Sequence, residues 1–439
     1  MSDRWLTRAL ILAALVRLGL VAIAWNRPGQ LLTPDSADYT TLAASLTEEG
    51  RFARDGQVEI FRTPGYPFFL LIAHTFGEHG WRVVVLVQAL LDVLLVYLTY
   101  LLATMLAGQR AGVWAALFQA LCPVAAAAAV RVLSDSLYAL LLTISLCLMI
   151  SHFRSGRAWM VAASAAFLAA ACYVRPVGLV MAALFALVLL ARPNRWRRVG
   201  LFAGILAMAI APWVVRNAVR AEYAGFSSFA TDSVYFFAVP ELRAEETGKH
   251  PARLRAEMRT REQPVADETG CLPPPGPAAH RRAGAAVSAL AEHPWAYARL
   301  HLRGCLGVFL PGATDAMEVA GVTTGQRGTS DVLRRDGLWA AVRHYFGNNA
   351  WALAAAAPMV LLLAIQYLAV GVAVVRRTRL RMPASIWLPA LMVVAATLVT
   401  GPFGQPRYRV PVTPILSAAA GLGVTILVDA VRRRRTREG

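Results

Sequence analysis

The dominant feature of the sequence is a series of apolar stretches, each roughly 17 to 25 residues long, separated by polar segments. A helix of ~20 apolar residues can cross the ~30 Å hydrocarbon core of a bilayer. We therefore predict an all-α polytopic membrane protein with about ten transmembrane helices. The predicted spans are residues 9–25, 82–106, 111–130, 136–153, 158–174, 177–192, 199–215, 350–375, 385–402 and 411–431.

Composition agrees with a membrane protein. Hydrophobic residues make up 57% of the 439-residue chain and charged residues only 16%, which is more apolar surface than a soluble domain hides. The formal net charge of +18 is spread over short runs of arginine between the apolar stretches. This distribution indicates a membrane topology, with membrane lipids as surroundings and no nucleic acid as partner.

Strict alternation of the spans places the short arginine-rich segments on one side of the membrane. The positive-inside rule assigns that side to the cytoplasm. We predict a multi-pass protein of the bacterial cytoplasmic (inner) membrane with both termini in the cytoplasm, an uncleaved first helix, and residues 26–81 and 216–349 outside. The arginines that carry this assignment are Arg4, Arg8, Arg110, Arg154, Arg157, Arg192, Arg195, Arg197, Arg198, Arg376, Arg377, Arg379, Arg381, Arg432 to Arg435 and Arg437.

The polar segments divide the chain into three parts. These are an N-terminal transmembrane module (1–219), an outer loop region (220–349) and C-terminal transmembrane helices (350–439). Charged residues, Pro and Gly over 220–282 predict an irregular loop. Two apolar stretches that are short or interrupted by charge, 66–76 and 295–311, predict helices at the outer membrane interface, the former alternatively re-entrant. A disulfide between Cys271 and Cys305 is left open.

Two carboxylates are predicted at the outer membrane surface. Asp35 lies in the segment Thr33-Pro-Asp-Ser-Ala-Asp-Tyr39 just after the first span, and Asp135 lies just before the span that begins at 136. Each has two interpretations. The side chain either caps the helix that follows, since Asp is a favoured N-cap, or takes part in chemistry at the surface.

These segments resemble the GT-C glycosyltransferases of the protein O-mannosyltransferase and lipid A aminoarabinose transferase type. In that family the catalytic carboxylate is a first-loop Asp, usually followed by Glu and, four residues on, by Tyr. Asp35 and Tyr39 match this pattern, whereas Ser36 replaces the Glu. The resemblance implies a GT-C type fold, with Asp35 as catalytic base and Asp135 as the second acidic residue of the site.

Arginines near the predicted outer surface also agree with the resemblance. Arg175-Pro176 matches an outer turn of the family, and Pro406-Arg-Tyr-Arg-Val-Pro411 is similar to its Arg-Tyr-x-x-Pro motif. A guanidinium can donate two parallel hydrogen bonds to a lipid phosphate, although snorkelling to headgroups is the alternative. The predicted substrate-binding residues are Asp38, Tyr39, Arg62, Tyr66, Arg131, Arg175, Arg303, Arg407, Tyr408 and Arg409.

The resemblance implies an inverting glycosyltransferase that moves a sugar from a polyprenyl-phosphate donor to an acceptor hydroxyl at the outer face. The acceptor is left open as protein, lipid or glycan. Alternatives are a ligase that uses a polyprenyl-diphosphate glycan, and a lipid-linked sugar transporter or flippase, which would require charges such as Arg17 inside the spans. No cofactor is required and no metal-ligand spacing is found, but Asp35 and Asp135 would suit a divalent cation.

Overall fold

The computed structural model describes residues 2–268, 270–322, 329–347, 349–377 and 384–438. Twenty α-helices and one two-stranded antiparallel hairpin, Ala53–Arg54 with Gln57–Val58, make up the regular structure of this part of the chain. The helices are α1 Ser2–Trp25, α2 Pro34–Glu48, α3 Gly65–Thr75, α4 Gly80–Ala107, α5 Gln109–Leu121, α6 Pro123–Ala129, α7 Asp135–Ser155, α8 Ala158–Val174, α9 Gly178–Leu190, α10 Arg195–Ala221, α11 Phe229–Ser233, α12 Val239–Thr247, α13 Pro251–Arg261, α14 Pro275–Glu292, α15 Pro294–Gly307, α16 Ala313–Val319, α17 Thr329–Phe346, α18 Ala350–Arg377, α19 Ala384–Thr400 and α20 Thr413–Glu438.

All ten predicted spans are helical. In the described part of the chain, six helices are long and apolar enough to cross a membrane, and α5 with α6 forms a seventh candidate that is bent by 60°. The bend lies at Cys122-Pro123, because proline has no N–H for the helix and holds the preceding residue in an extended conformation. The remaining three predicted spans are shorter apolar helices, namely α8, α9 and α19.

A buried ion pair lies inside the bundle. Arg17 of α1 donates through Nε to Asp92 of α4 at 2.8 Å, and both side chains are fully buried. The guanidinium also donates to the backbone carbonyl of Gln119, at 3.0 Å, and to that of Ala120. The mid-span charge therefore faces the protein interior and ties three helices together, as a charge in a low-dielectric region must be paired.

The prediction of an irregular loop over 220–282 is wrong for most of its length. Helices α11 to α13, the start of α14 and a π-helical turn, Val234–Ala238, occupy most of this segment, and the described irregular residues are 222–228, 248–250, 262–268 and 270–274. The prolines that suggested turns begin helices instead: Pro251 and Pro275 stand at first helical positions, where the missing N–H has no partner to lose. Packing of small apolar side chains then stabilises the helices.

The two predicted short helices are both present, as α3 and α15. Helix α15 packs on the 3-10 turn Gly401–Phe403, and its approach depends on glycine, since a Cβ on Gly304 would lie 2.0 Å from the carbonyl oxygen of Gly401.

Cys271 and Cys305 are free thiols. Of the arginines used to assign topology, Arg379 and Arg381 lie outside the described residues.

Candidate active site

Three segments that are far apart in sequence meet at one end of the bundle: the start of α2, the turn before α7 and the 3-10 helix Pro406–Val412. The hydroxyl of Ser36 donates to the carbonyl of Val132 at 2.8 Å. The hydroxyls of Tyr39 and Ser134 are hydrogen-bonded at 3.0 Å. These contacts hold the start of α2 against the segment that carries Asp135.

Helix α2 is capped by Thr33 and not by Asp35. The Thr33 backbone N–H donates to the hydroxyl of Ser36 at 2.8 Å, and the two side-chain hydroxyls lie 3.0 Å apart. Pro34 occupies the first helical position and Asp35 the second. The capping interpretation of Asp35 is therefore wrong, and its carboxylate is available for contacts outside its own helix.

The Asp35 carboxylate is paired with two arginines. Its Oδ2 accepts a hydrogen bond from Nη2 of Arg407, and its Oδ1 lies 3.7 Å from Nη2 of Arg62. The side chain remains 37% exposed, so one face is open to an incoming group. Burial raises the pKa of Asp35, but the positive charges of Arg407 and Arg62 outweigh it and lower the pKa below its usual value. The group is a carboxylate at neutral pH.

Arg62 is fixed by its other partners. Its Nε and Nη2 lie 3.0 and 2.8 Å from Oδ2 of Asp38, and its Nη1 donates to the Tyr39 hydroxyl at 3.1 Å. Asp38 also pairs with Arg54 at 2.7 Å. The buried Glu59 accepts from the backbone N–H of Arg62 at 3.0 Å. Asp38 and Glu59 thus orient Arg62 towards Asp35. Glu59 was not among the residues predicted from the sequence.

Asp135 forms a second ion pair beside the first. It is the first residue of α7, after the N-cap Ser134, so the capping interpretation of Asp135 is also wrong. Its buried carboxylate accepts from Nη1 of Arg175. The guanidinium carbons of Arg175 and Arg407 lie 5.7 and 5.2 Å from the ring centroid of Tyr408, which the two cations flank. The cluster of Asp35 and Arg62 therefore also includes Asp135, Arg175, Arg407 and Tyr408.

A cavity of about 270 Å³ opens beside the cluster. Arg131 lines it and pairs with Asp315 at 2.9 Å and with Glu318 at 2.7 Å, both on α16. Burial raises the pKa of Asp315 and outweighs the opposing charge of Arg131. The neighbouring Glu318 raises this pKa further. Sequence reasoning did not find either acid. The lining residues are Leu32, Thr33, Pro34, Val124, Ala127, Ala128, Arg131, Leu133, Asp315, Glu318, Gln405 and Arg407.

Three predicted substrate-binding residues are not brought to the cluster. Tyr66 is fully buried behind Tyr39 and donates its hydroxyl to Gln88 at 2.6 Å. Arg409 is 2% exposed and its Nη1 donates to the carbonyls of Val308 and Leu310, at 2.7 and 3.0 Å.

The third, Arg303, lies exposed on α15. The described contacts of Tyr66 and Arg409 are with neighbouring residues of the protein. Because both side chains are buried, a ligand has no room beside the phenol or the guanidinium. The prediction that they bind substrate is corrected accordingly.

Metal ligands are also absent from the part of the chain that the structure describes. No three Asp, Glu, His or Cys side chains come close enough there to hold an ion. Asp35 and Asp135 each face a guanidinium.

A family comparison supports the resemblance over part of the chain. The sequence model of the family described as dolichyl-phosphate-mannose-protein mannosyltransferase matches residues 62–216, less than half of the 439 residues. No curated protein sequence matches. The matched segment contains Arg62, Asp135 and Arg175, whereas Asp35 and Arg407 lie outside it.

Solved structures extend the likeness to the fold of the whole chain. The oligosaccharyltransferase of Archaeoglobus fulgidus in complex with Zn and sulfate has 14% identity and a TM-score of 0.54, over 97% of this chain and 50% of that one. The same organism's oligosaccharyltransferase AglB, in complex with an inhibitory peptide and a dolichol-phosphate, has 13% identity and a TM-score of 0.54, over 99% and 52%. ArnT from Cupriavidus metallidurans, bound to undecaprenyl phosphate, has 17% identity and a TM-score of 0.43, over 96% and 78%.

The chain spans about half the length of the oligosaccharyltransferase chains it matches. At this level of identity the likeness concerns the fold alone, which is similar to that of the oligosaccharyltransferase structures. The predicted resemblance to the GT-C class is confirmed.

Proposed function

We propose that the protein is an inverting glycosyltransferase that transfers a sugar from a polyprenyl-phosphate donor to an acceptor hydroxyl. One observation carries the proposal: the Asp35 carboxylate is partly exposed and is held between two arginines, one of which, Arg407, lines a cavity. A base and phosphate ligands side by side are what the reaction requires. The family model for enzymes that use dolichyl-phosphate mannose, and an AglB structure with dolichol-phosphate, support a lipid-phosphate donor.

In the proposed reaction Asp35 takes the proton of the acceptor hydroxyl. The hydroxyl oxygen forms a bond to the anomeric carbon on the face opposite the phosphate, and the bond from that carbon to the phosphate oxygen breaks. The bonding electrons leave with the polyprenyl phosphate, whose added negative charge is stabilised by arginine. The configuration at the anomeric carbon is inverted, and the proton remains on the carboxyl of Asp35.

Arg407 has two partners in this scheme. In the absence of donor it pairs with Asp35, and we propose that the donor phosphate takes over its guanidinium. Loss of that neighbour raises the pKa of Asp35, because Arg407 is the largest of the charges that lower it. Donor binding thereby makes Asp35 a stronger base. Arg62 and Arg175 add positive charge on either side of the carboxylate.

The two alternatives from the sequence differ in their support. A transporter would use charges within the spans, but the mid-span charge Arg17 is fully buried and occupied by Asp92 and two carbonyls. A ligase that moves a preassembled glycan from a polyprenyl diphosphate is favoured by one observation, the fold shared with oligosaccharyltransferases. The acceptor stays open as protein, lipid or glycan.

The membrane orientation is part of the proposal. We place the protein in a bacterial inner membrane with both termini in the cytoplasm and the site outside. The predicted outer loop 26–81 and three short turns that were predicted to lie outside contribute to one cluster, through Asp35, Arg62, Asp135, Arg175 and Arg407. At the opposite end of the bundle, Arg110 pairs with Asp429 of the C-terminal helix at 3.2 Å.

The reaction as proposed needs no metal ion, because the leaving phosphate is stabilised by guanidinium groups. Treatment of the purified protein with EDTA is expected to leave turnover unchanged. Loss of turnover in EDTA, and its return with Mg²⁺ or Mn²⁺, would instead assign a divalent cation to the carboxylates.

The function is tested by incubating the purified protein in liposomes with a panel of polyprenyl-phosphate sugars and an envelope extract as the source of acceptor. We expect release of polyprenyl phosphate from one member of the panel. Consumption of a polyprenyl-diphosphate glycan, with no member of the panel consumed, would support the ligase and contradict the proposal.

A further inference from the structure

We propose that the cavity between Arg131, Asp315, Glu318 and Arg407, called the sugar cavity, holds the sugar of the donor. It accepts a single uncharged monosaccharide by hydrogen bonds to the hydroxyls of that sugar. The inference rests on the proposed function and specifies its substrate class.

The position of the sugar cavity fits a sugar that is attached to a phosphate. Arg407 lines the cavity and at the same time contacts Asp35, and Thr33 and Pro34, which begin the helix of Asp35, line it as well. A phosphate held by Arg407 would therefore lie next to both the cavity and the base. The exposed face of Asp35 remains free for the acceptor.

Polar groups in the sugar cavity lack partners. The Nε atoms of Arg131 and Arg407 are buried and have no hydrogen-bond partner among the described residues. Arg131 itself is 8% exposed. Buried N–H groups in folded proteins are almost always hydrogen-bonded, so a ligand with acceptor oxygens would complete the site. Sugar hydroxyls and the ring oxygen supply such acceptors.

The same hydroxyls can donate to the acids of the cavity. Asp315 and Glu318 each pair with Arg131 through one carboxylate oxygen, at 2.9 and 2.7 Å, and a carboxylate has a second oxygen to accept with. Their side chains are 32% and 48% exposed, so a ligand can reach them. The two acids balance the charges of Arg131 and Arg407, so the lining of the cavity has no formal net charge that would attract an anionic sugar such as a uronic acid.

The size and the apolar wall suit one sugar ring. The volume of about 270 Å³ lies just below the range of roughly 300–1,000 Å³ that is typical of small-molecule sites. Val124, Ala127 and Ala128 form part of an apolar side against which the C–H face of a ring can pack. The further sugars of a longer glycan would have to extend out of the cavity.

The test compares two kinds of probe: undecaprenyl phosphate alone, and undecaprenyl phosphate carrying a neutral hexose, a neutral pentose or a hexuronic acid. Two variants alter the cavity in different ways. Glu318→Gln removes one acid while Asp315 still pairs with Arg131, and Ala128→Leu fills the space from the apolar side. Asp429→Asn is the matched control, since it removes another arginine-paired acid at the opposite end of the bundle.

We expect both cavity variants to bind the preferred neutral sugar lipid about tenfold or more weakly than the wild type, because Glu318→Gln loses a hydrogen bond to a charged group and Ala128→Leu occupies the space of the ring. Binding of undecaprenyl phosphate alone should stay unchanged, which also shows that the variants are folded. Asp429→Asn should bind both probes as the wild type does.

Other results would overturn the inference. Equal weakening of both probes would place the phosphate or the lipid in the cavity, and unchanged sugar-lipid binding with a raised acceptor KM would assign the cavity to the acceptor. Preference of the wild type for the uronic acid would contradict the charge argument. A wild type that binds undecaprenyl phosphate alone but neither binds nor consumes any sugar lipid would contradict the proposed function itself.

Discussion

The guanidinium of Arg407 donates to the carboxylate of Asp35, although the two residues are 372 positions apart in the sequence. The contact joins the first outer loop to the segment before the last helix and brings the proposed base and the proposed phosphate ligand together. Without donor, Arg407 occupies the carboxylate that would act as base, and Asp35 occupies the guanidinium that would bind phosphate.

Arg407 and Arg409 should differ, although the sequence predicted one role for both. Arg407→Gln removes a charge-assisted hydrogen bond worth ~1.5–3 kcal/mol, so the KM for donor should rise about ten- to a hundredfold. Arg409→Gln instead leaves buried carbonyls without a donor and should lower the free energy of unfolding by ~1–3 kcal/mol. Donor kinetics and thermal unfolding in detergent measure the two effects.

The exposed Arg303 provides the matched control for this comparison. Arg303→Gln should be close to wild type in both measurements, because surface substitutions are usually within about 0.5 kcal/mol. An Arg407→Gln protein with unchanged donor KM would show that the phosphate is held elsewhere, with Arg175 and Arg62 as the next candidates.

The pH dependence follows from the pKa of Asp35. Only the ionised carboxylate can act as base, so kcat/KM should fall as the pH drops through the pKa of Asp35 in the donor-free protein, which Arg407 and Arg62 hold below its usual value. In Arg407→Gln the largest lowering charge is lost while burial still raises the pKa. The acidic limb of the pH profile should therefore move to higher pH.

Profiles of kcat/KM for the wild type and Arg407→Gln, measured with the same donor, test this shift. Arg303→Gln serves again as control and should keep the position of the wild-type limb. If the limb in Arg407→Gln stayed in place or moved to lower pH, the group that titrates would not be Asp35.

The orientation in the membrane is tested by reporter fusions. A phosphatase fused at Gly270, in the outer loop region, should be active, because this enzyme folds on the outer side of the inner membrane. The same fusion at Gly156, between α7 and α8, should be inactive. An inactive fusion at Gly270 would contradict the outside placement of the whole candidate site.

Much of the fold was predictable because the property that defines a membrane span is local. Each of the ten spans is visible in its own run of apolar residues, and each is helical. The outer helices over 229–292 were not predictable in this way, since their stability depends on contacts between separate short segments. The division of the chain at 219 and 349 stays a prediction.

The candidate site was predictable only in part. The family resemblance identified Asp35, Arg62, Asp135, Arg175 and Arg407, which the structure brings together. It did not reveal Asp315 and Glu318, which lie on a seven-residue helix without a motif. The spacing of three residues, which places both acids on one helix face, was the available signal. Burial of Arg409 could not be read from the sequence, because it depends on α18 and the segment 308–310.

The central claim is that Asp35 is the general base, and the most direct test is the turnover of Asp35→Asn beside Asp38→Asn. Asparagine keeps the shape of Asp35, and α2 keeps its cap at Thr33. Proton transfer by a positioned base typically contributes about 10²–10⁴-fold, so kcat of Asp35→Asn should fall by that factor while donor binding is retained. Asp38→Asn should lose less, because Arg62 keeps its bond to Tyr39. Near-normal turnover in Asp35→Asn would contradict the account and transfer the role of base to another carboxylate.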